Sequence, residues 1–315
     1  MEKRVHRELI DKFQELSEGE ITLESIEALR KLSSSEASGN PCPDGEIHIY
    51  EESIRTPNSS HFIRLRIYEP TTKDGVLPGI FFIHGGAMVL GTPADSDATC
   101  CEILKELPSI IISVDYRLAP ETPYPGPVED CYDGLVWVME HARKLGVDPH
   151  RIAVVGQSAG GGLTAAISLM ARDRKGPKIA FQMPLYPMLD DRQQTQSSVE
   201  IKDRRVWNSI DNNAAWAMYL ADTDPSNVPV YAAPARESDY SNLPPTYTFI
   251  GDLDPFRDET IEYVYNLTKA GVPTEFHLYP GCFHGFELEV PDAQISKIAK
   301  KNYINALKNA LQSKA

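Results

Sequence analysis

The segment from Arg151 to Met170 reads RIAVVGQSAGGGLTAAISLM and sets one serine, Ser158, among four glycines. A serine hydroxyl attacks a carbonyl only beside a base, and the base needs an anion to hold its tautomer. Gly156-Gln157-Ser158-Ala159-Gly160 has the form GxSxG, and its setting gives it weight. Ile152, Val154 and Val155 read as a strand, while Leu163, Ala166, Ile167 and Met170 fall on one face of a helix. Gly156 and Gly160 leave room for a sharp turn that pushes the serine Oγ out over the sheet edge. The start of the following helix favours developing negative charge there. The plainer reading is a serine that only caps a helix.

The base must come from eight histidines. His6 sits on a charged N-terminal helix, His141 and His150 flank surface turns, and His48, His61 and His277 lie in or beside strands. His284, in PGCFHGF, follows the last apolar strand, TEFHLYP. In a parallel sheet that is the edge that carries Ser158, so His284 is the candidate base. Cys282, two residues before it, lacks an activating helix terminus. The anion is sought in GDLDPFRDE, just past the strand TYTFIGD. Asp254 precedes Pro255, which holds its backbone extended, and it is favoured over its rival Asp252. Asp258 and Glu259 fit the first turn of a helix on dipole grounds alone.

An acyl-transfer site also needs donors for the tetrahedral oxygen. IHGGAMVLG, Ile83 to Gly91, follows the strand GIFFI. Gly85 and Gly86 can turn their N–H groups to a small ligand, and Ala159 N–H would be the third donor. His84 reads as an organiser of this loop. Met88, Val89 and Leu90 are candidates for the pocket wall, with Trp207 and Trp216 further off.

The elements that must position these groups follow an alternating pattern. EIHIYEESI and HFIRLRIYEP read as an antiparallel pair, followed by GIFFIHG, SIIISVDYR, RIAVVG, KIAFQMPLYP, TYTFIGD and TEFHLYPG. Helices are predicted over Val128–Arg143, Ala159–Arg172, Arg257–Ala270 and Asp292–Gln312. Eight strands with helical crossovers predict a mostly parallel α/β sheet with helices on both faces. Two amphipathic helices precede a breaker-rich linker, Ser33 to Gly45, and a polar insertion, 189–245, contains the helical AAWAMYLAD. Residues 1–45 and 189–245 are therefore expected to form a cap over a catalytic domain of residues 46–188 and 246–315.

The net charge of −14 argues against a nucleic-acid binder, which would need a basic face, and disfavours anionic membranes. No apolar stretch reaches membrane-spanning length, and the charged N-terminus lacks a signal-peptide core. Five cysteines with no CxxC pair argue against a disulfide scaffold or a structural zinc, and predict reduced thiols in a cytoplasmic protein.

Together, His84-Gly85-Gly86, DYRLAPE (Asp115 to Glu121), GQSAGG (Gly156 to Gly161), DPFRDE (Asp254 to Glu259) and His284-Gly285-Phe286 resemble the hormone-sensitive lipase family of α/β-hydrolases, which includes many microbial carboxylesterases. The resemblance runs from about Glu46 to the C-terminus. It implies an α/β-hydrolase fold with a helical cap, a triad of Ser158, Asp254 and His284, and an oxyanion hole of Gly85, Gly86 and Ala159. It implies a serine esterase acting on small uncharged esters of short to medium acyl chain, with no metal or cofactor. Members often dimerise through the last strand and helix, so a homodimer is expected as an available state. Amide hydrolysis or deacetylation would use the same triad, whereas hormone receptors of this fold lack the triad histidine. Three positions depart from the family's habit: Gln157 for an aspartate, Ala87 for a third glycine, and Pro127 for a small residue.

Overall fold

The computed structural model describes residues 1–36, 42, 45–55 and 61–312. Eight strands form one sheet: β1 (Ile47–Arg55), β2 (Phe62–Pro70), β3 (Leu77–Ile83), β4 (Ile110–Asp115), β5 (Val147–Gln157), β6 (Phe181–Leu185), β7 (Thr246–Leu253) and β8 (Thr274–Phe283). Their order is β1-β2-β4-β3-β5-β6-β7-β8. β2 is antiparallel to both β1 and β4, and every pairing from β4 to β8 is parallel. The alternation of EIHIYEESI suits β1, a sheet edge. The unbroken apolar runs of β3, β4 and β5 suit central strands covered on both faces.

Ten helices complete the described chain: α1 (Ile10–Glu15), α2 (Ile26–Glu36), α3 (Asp97–Glu106), α4 (Gly126–Leu145), α5 (Ala159–Asp173), α6 (Gln196–Glu200), α7 (Ser209–Tyr219), α8 (Arg257–Lys269), α9 (Phe286–Glu289) and α10 (Gln294–Gln312). α5 and α8 share a buried cluster of Ala165, Leu169, Tyr263 and Leu267 on one face. α10 and α3 are joined by the Lys300–Glu102 and Lys308–Glu106 ion pairs. Pro127 stands in the first turn of α4, where its missing N–H costs nothing. The four helices predicted with bounds recur within two residues of their ends, whereas AAWAMYLAD covers only the second half of α7 and runs past its end. α3 is an addition, hidden because DATCCEILKE has too short an apolar stripe to stand out. The expected linker begins later than Ser33, since α2 runs to Glu36; residues 37–41, 43 and 44 of it lie outside the described residues.

One expectation from the cysteines is corrected. Cys42 and Cys101 are joined in a disulfide, with Cα atoms 5.9 Å apart, while Cys100, Cys131 and Cys282 are free and buried. The two partners lie 59 residues apart in sequence, so no short-range spacing announces the pair. The bond ties the end of the N-terminal segment to α3. No helix among the described residues is long and apolar enough to cross a membrane.

Candidate active site

Four loops meet beyond the C-terminal ends of β3, β5, β7 and β8, the edge at which a parallel sheet exposes its crevice. The loop after β5 is the shortest. Ser158 is the only residue between β5 and α5, and it adopts φ 56°, ψ −118°, a strained backbone for a residue with a side chain. The surroundings fix that conformation. Ser158 N–H donates to Leu185 O at 2.9 Å, and its carbonyl accepts from Gly162 and Met188 at 3.0 and 3.1 Å. A Cβ on Gly156 would collide with the Gly160 carbonyl, and one on Gly160 with the Ile83 carbonyl. Those two glycines let strand, turn and helix pack without a gap.

The Ser158 hydroxyl donates to His284 Nε2 at 2.8 Å. His284 Nδ1 donates to Asp254 Oδ2 at 2.6 Å, since a carboxylate can only accept. Asp254 is fully buried, and its Oδ1 accepts Phe256 N–H at 2.9 Å, so both oxygens are held. Asp252 turns elsewhere. It accepts Gly281 N–H at 2.6 Å, bracing the bend at the end of β8. Cys282 is buried, with its thiol pushed up by burial and away from the thiolate a nucleophile requires.

The loop after β3 faces this chain. An added Cβ on Gly85 would lie 3.4 Å from Ser158 Cβ. Gly86 has φ 106°, and its carbonyl accepts Val89 and Leu90 N–H at 3.0 and 2.7 Å, folding the loop back on itself. Among the described residues, neither Gly85 nor Gly86 N–H donates to a protein acceptor outside helices and strands. Ala159 N–H is the first of α5 and has no partner within the helix. The His84 ring stacks on Tyr116 at 4.2 Å, its Nδ1 lies 2.7 Å from Gly85 O, and burial lowers its pKa below the ordinary histidine value. It packs under the loop as an organiser would.

A cavity of about 540 Å³ opens over these groups. Ile21, Leu29, Leu90, Trp207 and Leu288 give it an apolar wall, with Ser158, His284, Gly85 and Gly86 at its floor. Of the expected wall residues, Leu90 and Trp207 face it. Met88, Val89 and Trp216 do not. Met88 and Val89 turn into the core through the positive φ of Ala87 and Met88, and Trp216 packs on Tyr219 in α7. Gln157 lies at the cavity edge and is almost wholly buried. The N-terminal segment and the 189–245 insertion are joined over the cavity: Ile21 N–H donates to Asp211 at 2.8 Å and Gly19 N–H to Arg204 O at 3.1 Å.

Three nearby carboxylate and phenol groups have roles that the sequence did not announce. The Tyr186 ring meets His284 edge-on at 5.0 Å, and its hydroxyl donates to the buried Glu287 at 2.6 Å. Burial pushes the Glu287 carboxyl up to about 6. Glu259, expected only as a dipole partner, is buried and accepts Leu189 and Asp190 N–H at 2.7 and 3.2 Å. Burial raises its carboxyl well above the ordinary range. It pins the start of the insertion to the helix that follows Asp254.

An alpha/beta hydrolase fold family model matches residues 80–288. Esterase LipI of Mycobacterium tuberculosis is 39% identical over 243 residues, covering 76% of this chain and 75% of that one. An arylesterase of Saccharolobus solfataricus is 36% identical over 230 residues, covering 70% and 72%. The solved structure of a bacterial heroin esterase superposes with a TM-score of 0.92 at 37% identity, covering 99% of each chain. The chain belongs to the α/β-hydrolases, in the hormone-sensitive lipase-like family of microbial carboxylesterases.

Proposed function

We propose that the chain is a serine carboxylesterase that hydrolyses small, uncharged esters of short to medium acyl chain. The observation that carries this reading is the unbroken hydrogen-bonded chain Ser158–His284–Asp254 at the floor of an apolar cavity. As Ser158 Oγ attacks the ester carbonyl, its proton passes to His284 Nε2. Asp254 holds Nδ1–H and stabilises the imidazolium. The tetrahedral oxyanion takes N–H donors from Gly85, Gly86 and Ala159. Collapse expels the alcohol, which leaves with the proton from Nε2, and Ser158 keeps the acyl group. Water then gives a proton to Nε2, attacks the acyl carbon and releases the acid, and the proton returns to Oγ.

Residues 1–45 and 189–245 serve as the cap in this reading, and their side chains set acyl length. Leu90 and Trp207 are retained as wall residues, joined by Ile21, Leu29 and Leu288. Hydrolysis of aryl esters of increasing acyl length tests it: kcat/KM should peak at short to medium chains and fall for long ones. A rise continuing to long chains would contradict the size of the cavity.

A homodimer through β8 is the assembly we favour. β8 ends the sheet with its outer edge unpaired among the described residues, and Leu278 and Ile298 are exposed beside it. Sedimentation at two concentrations tests this. With Cys42 and Cys101 bonded, the thiol argument for a cytoplasmic location falls away.

A further inference from the structure

Arg30 lies on α2, in the N-terminal segment, next to Leu29 of the cavity wall. Its guanidinium reaches out of that segment into two loops of the sheet domain. Nε donates to Val89 O at 2.9 Å, and Nη2 donates to Ala119 O at 2.8 Å. Nη1 and Nη2 also meet the two oxygens of Glu121 at 2.8 and 3.0 Å. Three features make the carbonyl contacts more than a surface link.

First, Val89 belongs to the loop that carries Gly85 and Gly86. Its own N–H is bonded to Gly86 O, so fixing Val89 fixes Gly86. Second, that loop holds two successive residues with side chains, Ala87 and Met88, at φ 58° and 60°. Such a conformation persists only where the surroundings over-determine it. Third, Ala119 is the loop's other support, since its N–H donates to Met88 O at 2.9 Å. Arg30 therefore grips one carbonyl on each of the two loops, Val89 O and Ala119 O, beside the Ala119–Met88 bond that joins them. Only a planar guanidinium with several fixed donors spans such a set. The Glu121 carboxylate is largely exposed and does not touch the loop through any described bond, so it orients Arg30 from outside.

We propose that Arg30 is a positioning residue for the oxyanion loop, through which seating of the N-terminal segment sets the aim of the Gly85 and Gly86 N–H groups. The inference rests on the reading of those groups as oxyanion donors. It makes the N-terminal segment part of the catalytic geometry as well as a cover for the cavity.

The test compares Arg30→Ala, Arg30→Gln and Glu121→Gln with the wild-type chain. Steady-state kinetics on a short-chain aryl ester are paired with inhibition by a trifluoromethyl ketone, whose adduct carries the oxyanion, and by a non-reactive ketone of the same shape. Removing a whole donor typically costs a hundredfold or more, so a misaimed pair should cost about tenfold in kcat. Arg30→Ala should lose about that factor with KM nearly unchanged. Trifluoromethyl ketone affinity should fall by a similar factor while the non-reactive ketone binds as before. Glu121→Gln, which leaves both carbonyl contacts, should stay within about twofold of wild type in kcat. If Arg30→Ala does not fold, by circular dichroism, Arg30→Gln carries the same prediction with a smaller loss, since its amide can reach one carbonyl. Equal losses in the Arg30 and Glu121 variants, or a change in KM or melting temperature alone, would overturn the proposal. A wild-type chain insensitive to the trifluoromethyl ketone would instead overturn the esterase reading on which it rests.

Discussion

Ser158 Oγ and His284 Nε2 stand 2.8 Å apart although 126 residues separate them in sequence. They arrive from the ends of β5 and β8, with β6 and β7 lying between. The meeting therefore depends on where the sheet delivers its loops, and it distinguishes His284, just past β8, from His277 within that strand. His277 lies mid-strand with Nε2 2.8 Å from Glu275, away from the cavity. His284→Ala should lower kcat by about ten-thousandfold or more, the usual scale for losing the triad base. His277→Ala should change it less than about twofold. Steady-state hydrolysis of an aryl acetate checks both, and the reverse pattern would assign the base wrongly.

The two aspartates after β7 divide their work. Asp254 orients His284, whereas Asp252 accepts Gly281 N–H at the bend of β8. Asp254→Asn should leave the fold intact and reduce kcat by about 10³- to 10⁴-fold, because the amide favours the wrong imidazole tautomer. Asp252→Ala, which removes the acceptor for Gly281 N–H, should act on stability first, lowering the melting temperature with kcat largely kept.

Glu287 makes stability depend on pH. Its carboxyl rises from an ordinary 4.5 to about 6 in the folded chain, chiefly through burial, with the Tyr186 hydroxyl opposing the rise. Folding thus disfavours the charged form. The penalty is absent below about pH 4.5, grows between 4.5 and 6, and is complete above, amounting to about 2 kcal/mol. Glu287→Gln keeps an acceptor for Tyr186 and cannot ionise. Its stability relative to wild type should therefore improve by about 2 kcal/mol between pH 4.5 and 7, read from urea unfolding at both. A difference that does not vary with pH would show that the Glu287 carboxyl ionises alike in the folded and unfolded chain.

The Cys42–Cys101 bond predicts a thiol count. Non-reducing denaturation followed by thiol titration should find three reactive groups, those of Cys100, Cys131 and Cys282, and five after reduction. Closing a loop of 59 residues stabilises by about 4 kcal/mol in the chain-entropy treatment, so the reduced protein should melt at lower temperature. Five reactive thiols before reduction would contradict the bond.

What the sequence made legible was local. Ser158 was visible because glycines are needed within two residues of it, and Asp254 because Pro255 restricts its backbone. His284 was visible because it follows directly on a strand. What stayed hidden depends on distant partners. Arg30 reads two carbonyls 59 and 89 residues away, Glu287 meets Tyr186 across 101 residues, and Cys42 finds Cys101 across 59. No periodicity encodes such meetings. Met88 and Val89 misled for a related reason: an apolar run after two glycines suggests a cavity wall, but the backbone at Ala87 and Met88 turns them into the core. Gln157, buried beside the nucleophile where the family resemblance leads one to expect an aspartate, has no structural account.

The central claim is that Ser158 is the nucleophile, and covalent labelling tests it most directly. Incubation with an aryl organophosphonate, followed by peptide mass spectrometry, should place one adduct on Ser158 with activity lost in proportion to labelling. Ser158→Ala should fold, take no label and lose nearly all turnover. An active chain labelled at another residue, or a Ser158→Ala variant that still hydrolyses esters at the wild-type rate, would contradict the account.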